Sequence, residues 1–278
     1  MLSPELSTLL SGRYVEIKVL PLSFKEYLVF NNYVEGGDKL EYFNSFLQFG
    51  GLPAITDIKD RPETIKPFLS GIYNTVIMKD VVQRNEVSDP ALLESVVRFI
   101  ANNVGSPIST KKISDYLTSA GRKTNSETID NYLKMLESAY IIYKANRFDL
   151  KGKLHLKTLE KYYIVDIGIR SQIMGFRNGD YGHILENIVY LELLRRGYEV
   201  SIGKIGAFEI DFVATKLDEK VYYQVSASIL SDETKERELR PLRSIPDNYE
   251  KIILTMDKTF IKDFEGIKNV NIIDFLCQ

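Results

Sequence analysis

The sequence predicts an α+β chain with three parts: a helical front, a middle of short helices followed by a hairpin, and an α/β rear. Before residue 104 the apolar residues recur at helical spacing, and after residue 162 helical and strand patterns alternate. In the middle, three helical patterns precede two β-rich runs. With 278 residues, the chain is long enough for more than one domain.

The composition limits the classes of function. The chain has 36 Lys and Arg against 38 Asp and Glu, a net charge of −2, so any nucleic-acid binding must come from a local patch. Only two histidines, His155 and His183, are present, which argues against a histidine-built metal site or catalytic triad. A single cysteine, Cys277, no apolar run of about 18 residues and no signal-peptide pattern indicate a cytoplasmic protein without a membrane partner.

The front begins with a pattern typical of the end of a larger sheet. A short helical pattern reaches Leu10, and the alternating strand Tyr14–Leu20 follows without a partner strand nearby in the sequence. Ser23 is the expected N-cap of a helix Phe24–Phe30, and a second helix is predicted over Lys39–Phe49.

Helical patterns continue to the end of the front. The string Gly50-Gly51-Leu52-Pro53 ends the second helix. Apolar residues at helical spacing then predict one long helical stretch from Pro62 towards Val82. Asp89-Pro90 opens a further helix, Leu92–Asn102.

The middle segment has the element order of a winged helix. Helices are predicted over Lys111–Thr118 and Ser126–Ser138, followed by the β-rich run Tyr140–Tyr143. The strand Lys153–Leu156 and the β-rich run Tyr162–Val165 come next. Helices followed by a β-hairpin is the winged-helix arrangement.

Positive charge is concentrated in this middle segment. Residues 105–161 carry eleven Lys or Arg against six Asp or Glu, a net +5, which leaves −7 on the rest of the chain. We therefore expect binding to double-stranded DNA, with helix Ser126–Ser138 facing the bases. Glu127 and Asp130 oppose phosphates, so a winged helix used only for protein contacts is the alternative. The expected DNA-contacting residues are Lys111, Lys112, Arg122, Lys123, Asn131, Lys134, Lys144 and Arg147.

The rear alternates helices and strands, which predicts a mixed central sheet with helices packed on it. Two helices and five strands are expected in this part of the chain. They are the helices Ile184–Arg196 and Asp232–Leu242 and the strands Tyr198–Ser201, Phe208–Ala214, Lys220–Ser226, Lys251–Thr255 and Val270–Ile273.

Acidic residues in the rear predict a degenerate nuclease-like site. In a Mg²⁺-dependent nuclease, one strand ends with an acid and the next carries E-x-K, whose alternation aims both side chains at one face. Asp211 precedes Gln224 by thirteen residues, and Glu186 supplies a helix carboxylate. Because Gln224 is uncharged and Ser226 replaces the lysine, we assign no catalytic residue and expect only weak Mg²⁺ binding by Glu186 and Asp211.

Two further observations bear on activity. Lys204 or Lys220 is the candidate for a displaced lysine that completes the nuclease-like site, although an exposed lysine in a turn is the more ordinary role. None of the 17 glycines lies in a G-x-x-x-x-G-K-[ST] pattern, so ATP binding is not expected of this chain alone.

A series of short strings runs along the chain: LSGRY (10–14), LPLSFKEY (20–27), GGLP (50–53), YIVDIGIR (163–170), LEN (185–187), EIDFV (209–213) and QVS (224–226). Together these strings resemble the prokaryotic AAA-type P-loop ATPases that carry a C-terminal domain of unknown function. The resemblance implies a P-loop ATPase domain, a helical and winged-helix middle, and a C-terminal domain similar to the PD-(D/E)XK, restriction-endonuclease-like fold.

Relative to that family, this chain resembles only the part after the P-loop core. The implied divisions are 1–30 for the end of the ATPase domain, 31–104 for a helical linker or lid, 105–161 for the winged helix and 162–278 for the nuclease-like domain. Arg13 corresponds to an arginine that senses nucleotide in such domains, and a structural salt bridge is its expected role here.

The resemblance also bears on function. The Gln-Val-Ser triplet is ordinary for the family, which favours a scaffold over a nuclease. We therefore expect a truncated ATPase-family protein that binds DNA, a full-length ATPase relative or another protein. The alternative is a Mg²⁺-dependent DNA nuclease that uses Glu186 and Asp211.

Overall fold

The computed structural model describes residues 17–58, 61–175, 181–258 and 261–278, and its elements make up an α+β fold around one mixed sheet. The expected helix before Leu10 and Arg13 lie outside these ranges. Of the predicted strand Tyr14–Leu20, residues 17–20 are described, and they form no strand.

The front is helical. Its helices are α1 Phe24–Phe30, α2 Lys39–Phe49, α3 Pro53–Thr56, α4 Pro62–Ile72, α5 Val81–Arg84 and α6 Pro90–Asn102. The N-cap of α1 is confirmed, since the Ser23 hydroxyl accepts from Glu26 N while the Glu26 carboxylate accepts from Ser23 N. The single helical stretch predicted after Pro62 is interrupted by a π-helix, Tyr73–Asp80, which lies between α4 and α5.

The middle contains two helices and a hairpin, α7 Thr110–Ser119, α8 Ser126–Ser138, β1 Ile142–Asp149 and β2 Leu154–Ile164. An isolated antiparallel bridge joins Ile108 to Glu160, so the segment before α7 also contacts β2. The two short strand runs predicted after residue 152 form the single strand β2.

The rear holds the remaining elements. They are α9 Ile167–Met174, α10 Tyr181–Arg195, β3 Glu199–Ile205, β4 Phe208–Lys216, β5 Glu219–Val225, α11 Asp232–Arg243, β6 Glu250–Thr255, β7 Asp263–Phe264, β8 Ile267–Asn271 and α12 Ile272–Cys277. The last predicted strand was placed too far along the chain. Strand β8 ends at Asn271 because the Asn271 side chain accepts from Ile273 N and caps α12.

One eight-stranded sheet connects the middle to the rear, with strand order β2-β1-β3-β4-β5-β6-β8-β7. The pairs β1–β3, β5–β6 and β6–β8 are parallel. Because β1 pairs with β3, the sheet continues across the expected division between residues 161 and 162, which falls inside β2. Within the described ranges, no helix combines the length and apolar character needed to cross a membrane.

The largest buried apolar cluster extends through all three parts of the chain, from Phe24 through Ile129 to Leu276. A smaller cluster lies where α11 packs on the sheet and includes Leu239 and Leu242. The front helices, the middle and the rear therefore share one core.

Candidate functional site

A buried lysine on β2 lies among three carboxylates from β4 and α10. The Lys161 Nζ is 2.9 Å from Glu209 Oε1, 3.4 Å from Glu186 Oε2 and 3.7 Å from Asp211 Oδ1. Glu209 and Asp211 are two residues apart on β4, so strand alternation puts them on one face. We call these four side chains the Lys161 cluster.

Helix α10 is held against β2 so that Glu186 faces the lysine. The Asn187 side chain accepts from Ile164 N at 2.8 Å and donates to Ile164 O at 2.9 Å, and Asn187 is fully buried. Tyr163 Oη donates to Glu186 Oε2 at 3.4 Å. Gly105 has a positive φ of 71°, and a Cβ there would lie 2.8 Å from Glu186 Oε2, so only glycine fits beside this carboxylate.

Gln224 lies next to the cluster on β5 but is committed to other partners. Its Oε1 accepts from Asp211 N at 3.4 Å, and its Nε2 donates to Glu238 Oε2 on α11 at 2.9 Å. Ser226 holds the position where a nuclease would carry lysine, and its hydroxyl donates to Ser228 O. Neither Gln224 nor Ser226 therefore provides a positive charge to the Lys161 cluster.

The lysine that joins the carboxylates is Lys161, and neither expected candidate lies there. Lys220 instead packs over the Tyr249 ring, with its Nζ 4.6 Å from the centroid. Lys204 lies on β3, and its carbonyl oxygen accepts from Leu150 N. Sequence reasoning missed Lys161 because the lysine comes from the hairpin of the middle segment, far from the acids along the chain. The only signal is a lysine at the start of an otherwise apolar run.

Burial and mutual charge shift the protonation of this cluster. Burial alone would lower the pKa of Lys161, but Glu186, Asp211 and Glu209 more than offset it and hold the pKa above its usual range. Burial raises the pKa of Glu186, and the Lys161 charge opposes that rise. Burial and the neighbouring Glu186 raise the pKa of Asp211 to about 8. The lysine is therefore charged at neutral pH, whereas Asp211 tends to keep its proton.

The two carboxylates expected to hold a magnesium ion are engaged by other groups in this structure. Mg²⁺ requires ionised oxygen ligands at about 2.0–2.1 Å, arranged octahedrally. Here the candidate ligands Glu186 and Asp211 both face the Lys161 ammonium, and Asp211 Oδ2 also accepts from Val225 N at 2.9 Å. Among the residues that the structure describes, no group of three or more His, Cys, Asp or Glu side chains is arranged to hold a metal ion.

A second candidate site is the exposed part of the middle segment. Five of the expected DNA-contacting residues are exposed around α7, the α7–α8 turn and β1, and we call them the basic surface: Lys111, Lys112, Arg122, Lys123 and Lys144. Lys151 and Lys153 in the β1–β2 turn are also exposed. Among the described acids of residues 105–161, Asp115 and Glu127 are exposed and the other four are partly exposed.

Helix α8, expected to face the bases, is itself acidic. Asn131 and Lys134 are exposed, but Lys134 Nζ is 2.7 Å from Asp130 Oδ2. Glu127 and Glu137 add two more negative charges to the same helix. The basic residues therefore flank α8 rather than cover it.

Arg147 lies away from the basic surface. It is 9% exposed, because its strand β1 pairs with β3 opposite Ile202. Its Nε has no hydrogen-bond partner among the described residues. A buried side chain cannot contact a duplex, so the expectation that Arg147 touches DNA is withdrawn.

Comparisons with known proteins give a family but no activity. Residues 40–180, half of the chain, match the domain of unknown function DUF8612. An uncharacterized protein of Haemophilus influenzae is 44% identical over 282 aligned residues, which cover 100% of this chain and 68% of that relative. The uncharacterized protein MJ1544 of Methanocaldococcus jannaschii is 33% identical, over 99% of this chain and 63% of its own length. No solved structure matches.

Proposed function

The chain belongs to the family of the domain of unknown function DUF8612, and from that premise we propose that it is a DNA-binding scaffold: the middle segment acts as a winged helix on duplex DNA, beside a nuclease-like domain that does not cleave it. The proposal rests on one observation, the exposure of the basic surface.

The topology of the middle segment supports a winged helix. Helix α6 precedes a bridge at Ile108, then α7, α8 and the hairpin β1–β2 follow in order. A winged helix has the same sequence of three helices, a short pairing segment and a hairpin. Phosphate contacts from residues that flank the second and third helices orient such a domain on the duplex.

Most of the Lys and Arg side chains in the middle segment are exposed to solvent. Of the eleven Lys and Arg in residues 105–161, Arg147 and Lys161 are buried, whereas the basic surface faces solvent. Four of the six acids there, including Asp130 and Glu137, are only partly exposed. Since phosphate attraction depends on accessible cations, this distribution favours duplex binding by the α7–α8 turn.

The Lys161 cluster supports a scaffold in the rear domain. Of the acids that a nuclease would use on a metal ion, Glu186 pairs with an ammonium group of the same chain, and burial keeps the pKa of Asp211 at about 8. Glu186, Asp211 and Lys161 then serve to lock α10, β4 and β2 together, which preserves the arrangement without catalysis.

The lengths of the relatives bear on a candidate partner protein. The chain spans 68% and 63% of the two relatives, so each has further residues that this sequence does not match. We propose that the chain corresponds to the rear part of an AAA-type ATPase and partners a full-length ATPase relative. Co-purification of the tagged chain with such a relative tests that part. A cytoplasmic location is part of the proposal and is supported by the single cysteine.

Fluorescence anisotropy with a labelled duplex of about 30 base pairs tests DNA binding. We expect affinity to fall steeply as NaCl rises, because each phosphate contact releases counterions. The double substitution Arg122→Glu with Lys123→Glu should weaken binding by at least about tenfold and flatten the salt dependence. The matched control is Lys258→Glu with Lys262→Glu, which makes the same charge change elsewhere on the surface.

Two results would overturn the DNA proposal. One is binding that does not respond to salt, or no binding at low salt. The other is equal weakening by both double substitutions, since that would indicate attraction by overall charge alone.

The Mg²⁺-dependent nuclease remains the second candidate, and one observation favours it: Lys161 supplies a lysine beside Glu186 and Asp211. Incubation of linear and circular DNA with Mg²⁺ or Mn²⁺ separates the two functions. The scaffold predicts intact DNA with the parent chain. Cleavage by the parent that Asp211→Ala abolishes would establish the nuclease instead.

A further inference from the structure

A cleft of about 910 Å³ opens between the front helices and the far end of the sheet, away from both candidate sites. Its walls come from residues 33–40 at the start of α2 and from the segments that follow β6 and flank β8. Strands β6 and β8 are parallel, so their carboxyl ends, at Thr255 and Asn271, lie at the same edge. In sheets of this kind, ligands occupy the crevice outside the carboxyl ends of the strands.

Three lysines in this cleft have no acidic partner among the residues that the structure describes. Lys39, Lys258 and Lys262 line it, and none makes an ion pair with a described carboxylate. A fourth, Lys268, pairs with Glu250. Ammonium groups that line one cavity and lack a carboxylate partner favour the binding of an anion there.

The acids in the same walls only partly counter this charge. Asp38 caps α2 by accepting from Leu40 N at 2.9 Å, and Asp257 Oδ2 accepts from Ile229 N at 2.8 Å. The third acid, Asp274, lines the cleft and is exposed, and it accepts no backbone hydrogen bond from the described residues. Backbone N–H donors thus compensate two of the three carboxylates.

Asn269 lines the cleft, and its side-chain amide oxygen lacks a hydrogen-bond donor among the described residues. This residue is 9% exposed, and its Nδ2 donates to Ile261 O at 2.8 Å, which fixes the amide orientation. Its Oδ1 is buried and has no hydrogen-bond partner among the described residues. A buried acceptor without a donor is unfavourable, and a ligand N–H or O–H that reached this wall of the cleft would remove that cost.

The rest of the lining is apolar and includes a ring. Leu40, Met256, Val270 and Ile273 contribute apolar surface, and Tyr33 adds an aromatic ring that packs edge-on against Tyr42. Anion-binding lysines, an aromatic and apolar wall and one buried acceptor match the three parts of a nucleotide. We infer that this cleft binds a nucleoside phosphate, with phosphate on the lysines and a base or ribose donor on Asn269.

Isothermal titration calorimetry with AMP, GMP, CMP and UMP tests this inference, with inorganic phosphate and adenosine as partial ligands. At least one nucleotide should bind at least tenfold more tightly than phosphate or adenosine. Lys258→Glu with Lys262→Glu should weaken that binding at least tenfold and leave duplex DNA affinity unchanged. Arg122→Glu with Lys123→Glu should give the reverse pattern, so failure of the DNA proposal and failure of this one are distinguishable.

A second variant and a 5′-phosphorylated oligonucleotide as a second ligand complete the test. Asn269→Leu removes the acceptor at similar side-chain size and should weaken nucleotide binding, with circular dichroism reporting that the fold is retained. No binding of any nucleotide at millimolar concentration, or binding that ignores the lysine substitutions, would overturn the inference. So would binding of a 5′-phosphorylated oligonucleotide at these lysines without binding of the free nucleotides, because the ligand would then be a DNA end.

Discussion

Two lysines of the middle segment, Lys161 and Lys134, each lie within 3 Å of a carboxylate, yet their surroundings differ completely. The Lys161 side chain is 3% exposed and faces three acids, whereas the Lys134 side chain is 68% exposed and pairs with Asp130 alone. A buried charge must be compensated fully by its partners, whereas water and salt compensate an exposed one. The distance between two charged atoms therefore does not give the energy of their pairing.

The largest effect should come from Lys161→Met, which keeps the length of the side chain and removes its charge. Glu186, Glu209 and Asp211 would then lie together without a cation, and we expect a loss of about 3–5 kcal/mol in the free energy of unfolding at pH 8. Urea denaturation followed by circular dichroism measures this loss.

The pH dependence separates charge from packing in that experiment. The raised pKa values of Glu186 and Asp211 mean that these acids take up protons readily as the pH falls. The loss caused by Lys161→Met should therefore shrink between pH 8 and pH 5. An equal loss at both pH values would mean that the lysine contributes only packing. Lys134→Met is the matched surface control.

A second buried charge, Asp166, extends the comparison because backbone donors compensate it in place of a lysine. Its Oδ2 accepts from Gly51 N at 2.7 Å and its Oδ1 accepts from Ile169 N at 3.1 Å. Asp166→Ala leaves both N–H groups buried without acceptors, and we expect a loss of about 2–3 kcal/mol in the free energy of unfolding.

The pKa of Asp166 gives that loss a definite pH dependence. Burial raises the pKa from 3.8 to about 6, although hydrogen bonds from Gly51, Ile169 and Gly168 oppose the rise. Between pH 3.8 and 6 the folded state keeps a proton on Asp166 that the unfolded state has lost. The contribution of Asp166 to the free energy of unfolding therefore falls as the pH rises through this range. The cost of Asp166→Ala should therefore be greater at pH 4 than at pH 7. A cost that grows with pH would contradict this assignment.

Asp211→Asn should have a smaller effect, of opposite sign. Burial and Glu186 raise the pKa of Asp211 from 3.8 to about 8, so the stability contributed by this group falls as the pH rises from 3.8 through 8. The amide keeps an acceptor for Val225 N and never ionises. We expect a gain of about 1 kcal/mol at pH 9 and a flatter stability profile between pH 5 and pH 9. A loss at pH 9 would show that the Asp211 charge is needed by Lys161.

The sequence predicted the elements better than the contacts between them. Helical spacing and capping gave α1, α2, α6, α7 and α8 because those signals are local in the chain. Local patterns do not show that β1 pairs with β3, and it is this pairing that buries Arg147.

Two of the three acids of the candidate site, Glu186 and Asp211, were predicted from the sequence, but Glu209 and the cation were not. Glu186, Asp211 and Gln224 were identified because the motif spacing is local to one helix and one hairpin. Lys161 was missed because its partners are 25, 48 and 50 residues away along the chain. Asp166 and Gly51 meet across a longer separation, 115 residues.

The smallest effect should come from Lys134→Ala, at the exposed end of the comparison. Because its side chain lies in water beside Asp130, its removal should leave the urea midpoint unchanged within error. The same pairing reduces the charge that Lys134 offers to a phosphate, so duplex affinity should fall less than about threefold, well below the effect at Arg122 and Lys123. Asp130→Ala frees the lysine and should tighten duplex binding slightly, as anisotropy at low salt would detect. If Lys134→Ala instead abolished DNA binding, α8 would be the principal contact, and the basic residues that flank it would have the lesser role.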